Sequence, residues 1–419
     1  MAQTTLPFEL ITNHLPRAAA ERRGQPVPRP ESSDPTAFKI GLDHAHHHLT
    51  PPLAHLQAEN PVHLGWSHGR QVYGPRTLRA TAPVRRWLTL RLAAWVSGQV
   101  FEDVQVTPHF LRQIETSQCP VTLKPLSHVT GSAGEQVIDR LNTQAAYAAG
   151  NLVSLSLQAQ QARQGRSCEQ ALACAQQLRS GQPGDCIGPG QGAEPIPAID
   201  KLDSHQWQRL AVLLSFATPL PHAVAASLPL VLMPPARVRV INPVQAVQVM
   251  LTLQFVHAGY ARRLVALSAL MPNSEVRQAF QVFMHTLLAR RLSMPASDPT
   301  SAPTTNPALA MRRAMQDIWQ DALVQRRWQR LATRLTAAQC EQLLQRAAQR
   351  RLVAGACQWL DPDQATDGWS LETRGQVQAL MAPRIDIGTA EAAMPGSARK
   401  RDSQNVPNCA AVTNCGAFQ

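Results

Sequence analysis

Ile138-Asp139-Arg140-Leu141-Asn142, followed by Tyr147 and by Gly150-Asn151-Leu152, is the one stretch of this chain in which polar residues recur at a spacing that suggests chemistry. Nineteen residues before Ile138 begins Cys119-Pro120-Val121-Thr122. Together they outline a knuckle, a hairpin and a helix, a unit able to hold one metal ion against a phosphate.

The elements that must position these residues are legible on either side. Thr107 before Pro108 is a helix start, since a hydroxyl caps and proline suits the first helical position. The short helix from Pro108 to about Glu115 then delivers the chain to Cys119. Upstream, from Ala82, most of the residues Val84, Trp87, Leu88, Leu90, Leu92, Trp95 and Val96 fall on one broad helical face. Downstream, Ser167 with Gln170 makes a capping box for a helix ending near Ser180.

The Gly- and Pro-rich run 181–192 is punctuation. It marks 181–200 as a linker between an N-terminal region, 39–180, and a helical domain, 201–383. That second half shows helix starts at Asp203 or Ser204, Asn242-Pro243, Asn273-Ser274, Asn306-Pro307 and Thr336 with Gln339. Leu228 to Pro235 breaks regularity, 293–307 reads as an exposed loop, and 1–38 and 384–419 read as a disordered leader and tail. Arg326-Arg327-Trp328-Gln329-Arg330 interleaves cations with an aromatic, a pattern suited to stacking on nucleic acid. On a helix starting near Asn306, however, Trp319, Leu323 and Trp328 fit a core with arginines at its rim.

Composition sets the frame. Hydrophobic residues make up 44% of the 419, and Ala, Leu and Gln are abundant where only three Tyr occur, so helix is expected to dominate over sheet. The formal charge of +12 favours polyanionic partners without bearing on fold. No secretory signal and no run of eighteen apolar residues is found, which points to a cytoplasmic protein with no membrane partner and with its eight Cys reduced. Asp43-His44-Ala45-His46-His47-His48 could bind transition metal, but no Cys or second His pair stands beside it at zinc spacing, and surface histidines are the expected reading.

Asp139-Arg140-x-Asn142-x4-Tyr147-x2-Gly150-Asn151 resembles the core of the HNH, or His-Me finger, endonucleases, in the variant written Asp-Arg-Ile-Asp…Gly-Tyr…Asn-Val with a Cys-x-x-Thr knuckle upstream. The resemblance covers 118–165. It implies a mainly α protein with a small ββα (treble-clef/HNH-like) module attached to a multi-helix domain. It further implies that Asp139 binds a divalent cation, Mg or Mn, that Asn151 pins the loop, and that the stretch from Ser156 to Arg163 runs into the closing helix.

The departures are equally specific. Arg140 stands where family members carry the general-base His, and a guanidinium accepts no proton. His128 and His109 are the nearest replacements, neither at a motif position. Zinc-holding members carry a second Cys pair where this chain has Ser156 and Ala159, so structural zinc is not expected and Cys119 reads as a buried thiol with Thr122 bonded in its turn.

Two functions follow. One is a nucleic-acid-binding protein, DNA before RNA, in which Arg140 and Arg163 meet phosphate and catalysis by Asp139, Asn151 and His128 is an open question. The other is a non-catalytic helical scaffold that retains the HNH-like unit only as a fold.

Overall fold

In a computed structural model the chain is described at residues 34–180, 198–256, 259–293, 307–353, 357–371, 375 and 377–379. The leader up to residue 33, most of the expected linker, the Pro- and Ser-rich loop apart from its ends, and the tail with its Arg399-Lys400-Arg401 cluster lie outside these residues.

The protein is mainly helical. Among the described residues, four α-helices precede the first sheet: α1 (Pro35–His46), α2 (Pro61–Tyr73), α3 (Ala82–Val96) and α4 (Pro108–Ile114). A hairpin follows, β1 (Gln136–Arg140) and β2 (Leu152–Ser156), and then α5 (Leu157–Arg163) and α6 (Cys168–Arg179). Next come α7 (Ser204–Ser215), α8 (His222–Ser227), β3 (Arg239–Val240), α9 (Pro243–Gln254), α10 (Tyr260–Ser268) and α11 (Ser274–Ser293). The last described elements are α12 (Pro307–Ile318), α13 (Ala322–Ala332), α14 (Ala337–Gln349), β4 (Cys357–Trp359), α15 (Pro362–Ala365) and β5 (Val377–Ala379). Strands β3, β5 and β4 form a second small antiparallel sheet in that order.

Local chemistry starts most of these helices. Thr107 Oγ1 accepts from Phe110 N at 3.2 Å, and complete capping boxes close at Ser167/Gln170, Asp203/Gln206 and Thr336/Gln339. Asn242 stands at the start of α9 as expected, but its side chain makes no capping bond to the helix backbone: it donates to Ser215 O, Thr218 O and Gln245 Oε1 and accepts from Leu220 N. The helix expected from Asn306 breaks after Ile318, and Asp321 caps α13 by accepting from Leu323 N and Val324 N. The expected leader also ends early, because Asp34 caps α1, Pro35 enters its first turn, and Ala37 and Phe38 are buried.

α1 and α2 touch backbone to backbone. A Cβ on Gly65 would stand 1.9 Å from Phe38 O, so only glycine permits this approach. Farther along, α9 is buried from Val244 to Gln254, and its glutamine amides donate inside the protein: Gln245 Nε2 to Ser215 Oγ, Gln248 Nε2 to Leu228 O and Gln254 Nε2 to Leu352 O, while Gln248 Oε1 is buried without a partner. Trp319 and Trp328 pack edge to face at 5.7 Å, with Phe283 against both. One hydrophobic cluster runs from Cys119 through α6, α7 and α9 to Trp369, so the described residues on both sides of 181–197 share a core.

Candidate functional site

The motif residues occupy the hairpin and the loop inside it. β1 and β2 pair antiparallel with Asp139 opposite Val153 and Arg140 opposite Leu152, and α5 begins at the residue after β2. Ser156 makes the strand-to-helix junction, its hydroxyl accepting from Ala159 N at 3.3 Å. The same hydroxyl donates to Cys119 Sγ at 3.3 Å. Cys119, Ser156 and Ala159 are all buried here, and Thr122 Oγ1 accepts from Lys124 N in the turn that Cys119 opens.

Asn151 organises the loop. It is fully buried, its Oδ1 accepts from Asn142 N at 2.8 Å, and its Nδ2 donates to Asn142 O at 3.0 Å and Ala146 O at 2.9 Å. One amide thus satisfies three backbone groups that the irregular loop leaves without ladder partners.

The carboxylate of Asp139 is engaged at both oxygens. Oδ1 accepts from Arg140 N at 2.8 Å, and Oδ2 accepts from Arg163 Nη1 at 2.7 Å. Arg163 ends α5 with only 3% of its side chain exposed, and its guanidinium also donates to Arg140 O and to Leu141 O. Asp139 keeps 22% of its side chain exposed. A buried ion pair is held only where further hydrogen bonds offset desolvation, and the two carbonyls supply them.

Arg140 reaches the other way. Its Nη1 donates to Gln99 Oε1 and Ala145 O, each at 2.9 Å, and its guanidinium lies 4.3 Å from the centre of the Tyr147 ring. Both arginines expected to meet phosphate therefore hold the protein's own groups.

The histidines stand apart. His128 is exposed in the loop before β1, where its Nδ1 faces Arg86 Nη2 at 3.0 Å, while Arg86 is ion-paired to Glu115. His109 contacts Arg112 and Gln113 on its own helix, α4. Among the described residues no hydrogen bond joins either ring to Asp139. In the other cluster, His44 is buried with Nδ1 facing Ile40 O, burial pushing its imidazole below the usual range, and His46 stacks on Tyr73 at 4.2 Å. Among the described residues no group of three or more His, Cys, Asp or Glu is placed to hold a metal ion.

Residues distant in sequence complete the site, and no local pattern announces them. Asn142 Nδ2 donates to Ala217 O at 3.0 Å; Trp369 Nε1 donates to Ala149 O and its carbonyl accepts from Ala146 N. Tyr147 joins Phe101 in a parallel bridge. Gly150, at φ +90°, lies under the side chain of Arg239, whose guanidinium donates to Ala365 O and to Gln105 Oε1. Between the strands the loop is thus buried or half-buried except at Thr143 and Gln144.

No family model, curated protein or solved structure matches the chain. No helix among the described residues is long and apolar enough to cross a membrane.

Proposed function

We propose that β1, β2 and α5 form an HNH-like ββα unit kept for its fold, and that the protein is a non-catalytic helical scaffold or interaction protein. The observation that carries this is the clasp on Asp139. A carboxylate that serves Mg²⁺ or Mn²⁺ must offer an oxygen to the ion, whereas here one oxygen holds the hairpin backbone and the other holds Arg163. The buried guanidinium supplies the positive charge that a cation would bring, and the donor set does not fit a metal.

Kinship with the ββα units is supported by three contacts. The helix follows the hairpin without a gap, Asn151 pins the loop at three points, and Cys119 meets Ser156 where zinc-holding members of that family carry a second Cys pair. Replacing Thr122, Ser156 and Ala159 by Cys tests this relation. If the unit is a zinc-knuckle fold that has lost its ligands, Thr122→Cys/Ser156→Cys/Ala159→Cys binds one Zn²⁺ through four thiolates; a variant that folds and binds none refutes it.

A metal-dependent endonuclease is the second reading, favoured by the part of Asp139 that solvent still reaches. Plasmid nicking with Mg²⁺ or Mn²⁺ separates the two. The scaffold reading expects equal, background rates for wild type and Asp139→Ala, and metal-dependent nicking abolished by that substitution overturns it.

A further inference from the structure

We infer that α13 and the turn after it present a ridge of arginines, Arg326, Arg330 and Arg334, that binds the sugar-phosphate backbone of duplex DNA without reading its sequence. The ridge follows from the helix's own pattern. Val324, Trp328, Leu331 and Leu335 are buried, which turns Arg326 and Arg330 to solvent on the opposite side, and both are exposed. Arg334 is exposed in the turn beyond α13, where its Nη1 donates to Arg330 O at 2.7 Å. Residues four apart on a helix are spaced by ~6 Å along its axis, so the cations form a row.

Charge singles out this region. Residues 326–351 contain seven Arg and one acid, Glu341, and so hold half of the chain's formal +12 in 26 residues. None of the ion pairs among the described residues includes Arg326, Arg330 or Arg334. Asp321, the acid at the start of α13, is paired with Arg290. Arg346, Arg350 and Arg351, at the end of α14, are exposed as well.

Chemistry narrows the partner to duplex. Binding of single strands relies on aromatic rings that stack with bases, and the one ring in the ridge sequence is unavailable: Trp328 is 1% exposed with its indole N–H donated to Ala226 O. A membrane-surface helix turns its apolar face to lipid, whereas that of α13 is inside the core. What remains exposed is guanidinium, with Gln329 and Thr333 beside it, a surface suited to phosphate contacts that position and do not specify.

The test is anisotropy of a labelled mixed-sequence DNA duplex with the full chain across a salt series. Wild type is expected to bind at low salt, with log K falling linearly against log salt. Arg326→Gln/Arg330→Gln/Arg334→Gln should flatten that slope by ~2.7, three phosphate contacts at ~0.9 each. Arg326→Lys/Arg330→Lys/Arg334→Lys should keep the slope. Arg79→Gln/Arg112→Gln/Arg262→Gln, which removes the same net charge from exposed positions elsewhere, should leave it unchanged. The inference is overturned if wild type does not bind duplex, if the ridge variant folds and keeps the wild-type slope, or if a single strand or phosphatidylserine vesicles bind in preference. None of these outcomes depends on whether Asp139 ligates metal, so the ridge and the scaffold reading fail separately.

Discussion

Arg163 and Arg330 are the same side chain near the end of a helix, and the molecule uses them in opposite ways. Arg163 closes α5 inside the protein, three percent exposed, with a carboxylate and two carbonyls around it. Arg330 lies near the end of α13 in water, among other arginines and outside every ion pair of the described residues. In the first region the charge is cancelled within a few ångströms, so it contributes order and almost no outward field. In the second it is uncancelled and contributes field and little order. A positive formal charge is thus a poor guide to where a protein meets a polyanion until the internal pairs have been removed from it.

Arg163→Met carries the largest expected effect. It leaves Asp139 and the carbonyls of Arg140 and Leu141 without their donor, and loss of ~3–5 kcal/mol is expected from breaking a buried pair, read by urea unfolding. Adding Asp139→Leu should recover part of that loss, since the stranded charge is gone; a double variant no more stable than the single one would mean that the carbonyl bonds, and not the ion pair, hold α5 to the hairpin. Asn151→Ala comes next, at about 2–3 kcal/mol, because Asn142 N and Ala146 O lose the side chain that binds them, and faster amide exchange should be confined first to 141–151. Gly150→Ala should cost on the order of 1–2 kcal/mol, the strain of a non-glycine residue at positive φ, with Arg239 displaced from its place across the loop. The smallest effect belongs to the other region: Arg326→Gln should change unfolding free energy by less than about 0.5 kcal/mol. A large loss of stability there would erase the contrast between the two arginine environments.

Much of the helical framework was legible residue by residue. Thr107-Pro108, Ser167/Gln170, Asp203, Asn273-Ser274 and Thr336/Gln339 all start helices, because a cap is satisfied by backbone two or three residues away. Trp319 and Trp328 fall in the core as their spacing implied. The hairpin and the loop-pinning role of Asn151 followed from the motif's resemblance, and the Asn151 bonds reach only back to Asn142 and Ala146 within one loop.

What could not be read was the company each polar group keeps. Asn242 starts α9 as its place before Pro243 implied, yet its side chain binds Ser215 and Thr218 and not the helix backbone. Asp139 looks like a metal ligand, and its partner, Arg163, is 24 residues away on another element. Arg140 and Arg163 both looked outward, yet one lies on Tyr147 and the other under the hairpin.

Caps, turns and apolar periodicity depend on neighbours within about four positions, so the order of amino acids suffices to place helices, the hairpin and the faces they bury. The fate of a charge depends on which distant segments fold over it, and on whether desolvation there is offset by partners that only packing brings within reach. Helix starts and buried faces could therefore be written down from the chain itself, while the pairing of Asp139 with Arg163 and the covering of Gly150 by Arg239 were decided when separate elements came together around one core.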